Sequence, residues 1–211
     1  VVLRNKNKSA KFKKLIFRYY SNEKELLTSA KLREIDTFVL SQPQKINGFK
    51  LMKTPQTSVY YSLLFNLDSP EFEDEEFRLK LSQSLSVKEL VQDLGIPVQG
   101  AISRNPYTNQ RIKYDFYEPN LMPEFLDKEI EMIVPDIESQ KDLALKISRV
   151  WEEKLGVTTK ILPMDPNEIR ESVVPARKFK ILLYGQQVGI DPDRYINWHS
   201  TQIKYPGLNI T

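Results

Sequence analysis

Apolar positions change their spacing repeatedly along the chain, and each change marks an element. Lys14, Leu15, Ile16, Phe17, Arg18, Tyr19 and Tyr20 form a β-branched and aromatic run that reads as a strand. Asn22 can cap a helix there, with Glu25 three residues on completing a capping-box-like pair, and Leu26, Leu27 and Ala30 form its apolar face. Ile35 to Val39 returns as a short strand, so the opening pattern predicts a β-α-β unit with a parallel strand pair and a right-handed crossover. Pro43, Gly48 and Pro55 punctuate a connection between lobes, with a short strand over 49–53. A strand over 59–67 follows. Asp74 then caps a helix with Phe77, Leu81 and Leu85 on one face, and Val87, Leu90, Val91 and Leu94 continue helical spacing until Gly95.

Residues 97–119 are turn-rich, with Gly100 and Pro106, and predict an irregular surface segment. The clearest periodicity comes next. Residues 129–134 read as a strand broken by Pro135, and Ser139 opens a helix whose stripe is Leu143, Ala144, Ile147, Val150, Trp151 and Leu155. Gly156 suits a left-handed helix end, residues 157–162 give the next strand, and residues 166–173 a short helix. Residues 179–184 are apolar enough for a central strand buried on both faces. There is no short-period repeat and no low-complexity tract.

Composition narrows the function classes. With 211 residues, 40% of them hydrophobic, the chain can bury a sizeable core. Net charge is only +3, though unevenly placed: seven Lys or Arg lie in residues 1–18 without an acid, and Asp68, Glu71, Glu73, Asp74, Glu75 and Glu76 cluster. Both read as solvated faces. Phe12, Phe17 and Tyr19 among the lysines are the best case for nucleic acid, but a buried strand with a basic approach accounts for them, and no nucleic-acid partner is expected. Cysteine is absent, so no disulfide, thiolate metal site or Cys nucleophile exists. One His and no H-E-x-x-H leave no metal expectation. The lack of G-x-G-x-x-G and of G-x-x-x-x-G-K argues against a nucleotide cradle, so no cofactor is expected. His199-Ser200 near Asp191 lacks a G-x-S-x-G elbow, and neighbouring residues do not face each other, so no enzyme is expected. No apolar run approaches the ~18 residues of a membrane span. Because the first residue is Val1, the chain reads as a piece of a longer parent.

Residues 182–200, LLYGQQVGIDPDRYINWHS, run from an apolar strand into a Gly-punctuated polar turn, where α/β proteins keep ligand sites. Gln186 and Gln187 leave the strand at its C-terminal end with amides that donate and accept, and Tyr184 precedes them; each is either a pocket contact or an ordinary surface or core side chain. Asp191-Pro192-Asp193 reads as a turn or helix cap. Trp198 is a stacking wall or a core residue, and Asn66, at a strand end, reads as a hinge or structural residue held by side-chain hydrogen bonds.

Several separated segments, in order, resemble the extracytoplasmic solute-binding proteins of ABC importers, family 5, the peptide and nickel class. They are Val2-Leu3-Arg4-Asn5; Phe17-Arg18-Tyr19-Tyr20; Ala30 with Glu34-Ile35-Asp36, where Arg33 stands in place of the usual Gly; Tyr61 to Asn66; Phe72-Glu73-Asp74 with Arg78, where Lys80-Leu81 replaces Ala-Leu; Gly156-Val157; and residues 183–209, including Tyr205-Pro206-Gly207-Leu208-Asn209. The resemblance implies an α/β chain with mixed sheets, a fragment of the two-lobed type II periplasmic-binding-protein fold. Residues 1–54 would be the returning segment of the first lobe and 55–211 most of the second. The implied function is capture of a peptide or small organic solute outside the cytoplasm by lobe closure, and delivery to an ABC permease. The parent would be peripheral to the membrane, with a lipid anchor one arrangement. Tyr184, Gln186, Gln187, Val188, Trp198 and His199 would contact ligand, and Asn66, Asp191 and Asp193 would be hinge or structural. Peptide binders of the family place an Asp at the position of Val188 to pair with the peptide's α-ammonium, so a neutral or differently anchored ligand fits here equally well. The alternative is a non-catalytic protein-interaction module on the same fold.

Overall fold

The computed structural model describes residues 1–4, 6, 11–40, 44–53, 58–92, 95–98, 100, 116–125, 128–189, 193–204, 207 and 209–210. The chain divides into two compact units, Val1–Thr54 and Pro55–Thr211.

In the first unit, β1 (Val2–Arg4) and β2 (Lys14–Ile16) pair antiparallel as a two-stranded ribbon. Helix α1 (Glu23–Lys31) begins as its sequence dictates: the Asn22 side chain accepts from Glu25 N–H at 3.0 Å, and Glu25 accepts from the Asn22 amide at 3.2 Å. Its end is closed by the Arg33 and Glu34 N–H groups bonding to Ala30 and Ser29 carbonyls at 3.0 Å, which puts Arg33 in the left-handed region at φ 57°. The position where the family pattern has Gly is thus one whose backbone favours Gly.

Three sequence expectations fail here. The strand over 14–20 shrinks to three residues, and Leu15, Ile16 and Phe17 are half exposed rather than buried. Residues 35–39 and 49–53 form no strand, so the predicted parallel β-α-β unit is absent from the described residues; β2 pairs with the segment before it instead. The reason is that β-propensity expresses itself only against a partner. Phe38 instead packs edge-on against Phe49, ring centroids 4.9 Å apart.

The second unit is built on a four-stranded mixed sheet. In chain order its elements are β3 (Val59–Phe65), α2 (Glu75–Gln83), the one-turn α3 (Val87–Leu90), β4 (Glu129–Pro135), α4 (Glu138–Leu155), β5 (Thr158–Met164) and β6 (Ile181–Gln187). The spatial order is β3-β6-β4-β5, with β4, β5 and β6 parallel and β3 antiparallel to β6. β6 is the central strand its sequence promised: Ile181, Leu182 and Leu183 are consecutive and all buried. Consecutive burial requires cover on both faces, and alternate residues do enter two separate cores. Ile181, Leu183, Met132 and Val134 pack with Phe77, Leu81, Ile147 and Trp151 of α2 and α4. Leu182, Ile133 and Leu64 pack on the other face with Ile169, Val173, Phe179 and Ile210.

The second cover is a continuous helical run, Pro166–Glu168, a π-helical turn Ile169–Val173, and Val174–Ala176. Asp74 caps α2 by accepting from Glu76 and Phe77 N–H, and Gly156 closes α4 at φ 76°. The Trp151 indole donates to Leu81 O at 3.0 Å, fixing α4 against the end of α2. α4 starts one residue before Ser139, with no side-chain cap, and Pro135 ends β4 within the ladder rather than before it. The helical spacing beyond Val87 yields one turn only, and Leu94 lies outside the described residues, as does most of 97–119.

Candidate functional site

Parallel strands share an edge at their C-terminal ends, and β4, β5 and β6 bring Pro135, Met164 and Gln187 to it. Because β3 runs the other way, its beginning arrives at the same edge, with Val59 opposite Gln187, Tyr60 opposite Gln186 and Tyr61 opposite Gly185. A Cβ on Gly185 would come 2.7 Å from the Tyr61 ring, so glycine there leaves room for that ring to lie across β6. Pairing continues past the strand, with Val188 N–H donating to Ser58 O at 2.8 Å.

Side chains alternate along β6, so Tyr184, Gln186 and Val188 share one face and Gln187 points to the other. Tyr184 packs against the core containing Leu182, and Gln187 is exposed. Gln186 is held by a partner that sequence reasoning missed: the buried Tyr60 hydroxyl donates to its Oε1. The Trp198 side chain lies near the same Tyr60 hydroxyl, and the Arg194 guanidinium is close enough to act on it electrostatically. Burial raises the Tyr60 hydroxyl above the ordinary tyrosine value of 10.0, while the nearby Trp198 side chain and the Arg194 charge pull it back. Tyr60 therefore stays a neutral donor and acceptor at neutral pH. The only advance signal for Tyr60 was its place at the start of an edge strand, opposite a polar residue of the central one.

Trp198 ends a one-turn helix, Tyr195–Trp198, and is 39% exposed, which removes the reading of it as a core residue. It borders a groove of about 380 Å³ that runs along β3 and α2 past Leu63, Phe65, Leu79 and Arg78. Asp193 accepts from Tyr195 N–H at 2.8 Å and so starts that turn; Asp191 lies outside the described residues. His199 stacks on Tyr195 with centroids 4.4 Å apart, and its Nδ1 accepts from Thr201 N–H at 3.2 Å. It thereby caps the next turn, Ser200–Gln202. Asn66 is buried; its amide donates to Arg177 O at 3.1 Å and Phe179 O at 2.9 Å, and its Oδ1 accepts from Asp68 N–H at 3.1 Å. All three partners belong to the second unit, so Asn66 ties the far ends of β3 and β6 together.

The structure thus unites Gln186 and Trp198 through Tyr60. It assigns structural bonds to His199, Asp193 and Asn66. Among the described residues, no three His, Asp or Glu side chains gather as a metal site, and no helix is long and apolar enough to cross a membrane.

No protein-family model matches the chain, and no curated protein matches it. Solved structures do. The oligopeptide-binding protein AppA of Bacillus subtilis, in complex with a nonapeptide, superimposes with a TM-score of 0.69 and 17% identity over 89% of this chain and 43% of its own. The ABC transporter substrate-binding protein CtaP of Listeria monocytogenes gives 0.69 and 17% over 88% and 42%. NikZ of Campylobacter jejuni, in complex with Ni(L-His), gives 0.62 and 18% over 87% and 40%. The chain spans about two-fifths of the length of these structures. With its mixed sheet and its superposition on them over nearly nine-tenths of its length, this chain carries part of the two-lobed, periplasmic-binding-protein-like fold of the peptide- and nickel-type ABC solute-binding proteins.

Proposed function

We propose that the chain belongs to the solute-binding component of an ABC importer and helps capture a peptide or similar organic solute outside the cytoplasm. The observation that carries this reading is the cluster of Tyr60, Gln186 and Trp198 at the C-terminal edge of the parallel strands, on a fold shared with peptide-bound AppA. Open α/β sheets bind ligands at that edge. The Gln186 amide and Tyr60 hydroxyl offer uncharged hydrogen bonding suited to a peptide backbone, and the half-exposed Trp198 offers a stacking surface. On this reading Pro55–Thr211 is most of the second lobe and Val1–Thr54 the returning segment of the first. Binding is reversible, solute contacts on both lobes favour a closed state, and the loaded protein docks on an ABC permease. No catalytic step is involved.

Val188 gives the site a neutral side chain where peptide binders of the family carry a carboxylate. The solute is therefore anchored without a salt bridge to an α-ammonium group. The test is thermal melting of the native gene product carrying these residues, with pools of synthetic nonapeptides that are free or N-acetylated, and mass spectrometry of whatever co-purifies. The expected result is stabilisation by both pools to a similar extent. Stabilisation by neither pool, and no co-purifying small molecule, would remove the solute-binding reading. A second reading, a protein-interaction module, is favoured by the apolar side chains left half exposed on the β1–β2 ribbon, Val2, Leu3, Leu15 and Ile16. Capture of a protein together with indifference to every peptide would support it.

A further inference from the structure

We propose that Arg177 is a positioning residue for the candidate site: its guanidinium clamps the segment that carries Trp198 and so sets where the indole stands against Tyr60 and Gln186. The inference rests on the solute-binding reading for its functional meaning, while the clamp itself is a matter of geometry.

Trp198 sits on a single helical turn with no buried residue of its own, so anchors outside that turn must hold it. The segment after it is folded back on itself: Asn209 N–H donates to Gln202 O at 3.2 Å, and the Asn209 amide donates to His199 O, next to Trp198, at 3.3 Å. Asn209 is 5% exposed and Ile210 is buried in the core beside Leu182 and Phe179. One guanidinium nitrogen of Arg177 reaches into this fold-back and donates to both Ile203 O and Asn209 O, the latter at 2.5 Å. The planar guanidinium suits a fixed geometry better than a flexible ammonium does.

Arg177 is itself held at the other end. Its carbonyl accepts from the buried Asn66 amide, which links it to the end of β3. Its φ of 51° lies in the left-handed region, which a non-glycine residue occupies only at a cost. Glycine would suit that backbone better, yet glycine has no side chain to tie Ile203 and Asn209 to the sheet. A continuous path of hydrogen bonds therefore runs from Asn66 through Arg177 and Asn209 to His199, the neighbour of Trp198.

Substitution R177G separates the two properties, because it relieves the backbone and deletes the clamp. In the 211-residue chain, acrylamide quenching reports on Trp198, since Trp151, the other tryptophan, is fully buried. R177G is expected to keep its cooperative melt, to raise the quenching constant about twofold, and to speed exchange of the Asn209 amide proton roughly tenfold. A folded R177G with wild-type quenching and exchange would overturn the proposal. Should R177G not fold, R177M decides, since it keeps an aliphatic stem and deletes every donor: looser Trp198 supports the clamp, and wild-type quenching refutes it. In the native gene product, weaker nonapeptide binding by R177G supports the positioning role, and undiminished binding refutes it. If the wild-type protein binds no nonapeptide, the solute-binding reading fails, while the quenching result still decides the clamp.

Discussion

Single residues record where local rules and tertiary demands agree. Arg33 is the instructive conflict, because the sequence placed it where Gly is usual and the backbone there is left-handed at φ 57°. R33G should therefore stabilise the chain by roughly 0.5–1 kcal/mol, read as a higher urea midpoint at unchanged m-value. An unchanged or lower midpoint would show that the Arg33 side chain contributes more than its backbone costs.

Tyr60 makes a pH prediction. Its hydroxyl titrates above the ordinary tyrosine range when folded, so near and above pH 10 the unfolded chain releases this proton more readily than the folded one. Below that range the protein gains no pH-dependent stability or loss from Tyr60; as pH rises through it, stability falls. Y60F should flatten that alkaline decline in urea melts collected from about pH 8 to 11. A decline of the same slope in Y60F would assign it to other groups. Tyr60 escaped sequence reasoning because its importance comes from facing Gln186 across the sheet, a register that no local pattern encodes.

Elements were legible wherever one sequence feature and one packing need coincided. The stripe Leu143, Ala144, Ile147, Trp151 and Leu155 is buried as the 3.6-residue period requires, and Gly156 ends α4 where a left-handed residue was expected. Ile181, Leu182 and Leu183 were legible as a central strand because only a strand covered on both faces buries three in a row. Residues 35–39 and 49–53 carried strand-like composition without partners in the described residues, and composition alone does not make a strand. Within the site, the end of β6 was legible from the meeting of an apolar strand with polar residues. That His199 would serve as a turn cap was not, because its role is set by the neighbouring Thr201 amide.

The α2–α4 contact depends on Trp151, which is fully buried and bonded to Leu81 O. W151A should cost about 3–5 kcal/mol in chemical denaturation, from lost burial and an unfilled cavity. A loss under about 1 kcal/mol would mean that the core closes around the gap.

At the scale of the whole molecule the two units differ in how much they bury. Both hydrophobic cores lie in Pro55–Thr211, whereas among the described residues of Val1–Thr54 only Ala30 is a buried hydrophobic. The 55–211 polypeptide should therefore fold alone, with a cooperative melt close to that of the 211-residue chain, and residues 1–54 alone should not. Circular dichroism and amide exchange on the two pieces check this. A non-cooperative 55–211 would show that the first unit is needed to complete the second. The overall architecture was legible from the order of weak motifs spread along the chain, and the match to AppA over 89% of the chain agrees with that order although identity is only 17%. The identity of the proposed solute was not legible, because Gln, Tyr and Trp side chains fix hydrogen-bonding character without fixing a molecule.

The central claim is that a solute is held at the Tyr60, Gln186 and Trp198 cluster. Calorimetric titration of the native gene product with the solute that co-purifies, comparing wild type with Q186A, tests it most directly. The expected result is an affinity at least about tenfold weaker for Q186A in a protein that still melts cooperatively, the loss of one or two buried hydrogen bonds to ligand. Equal affinity for the two proteins would contradict the account and place the solute elsewhere.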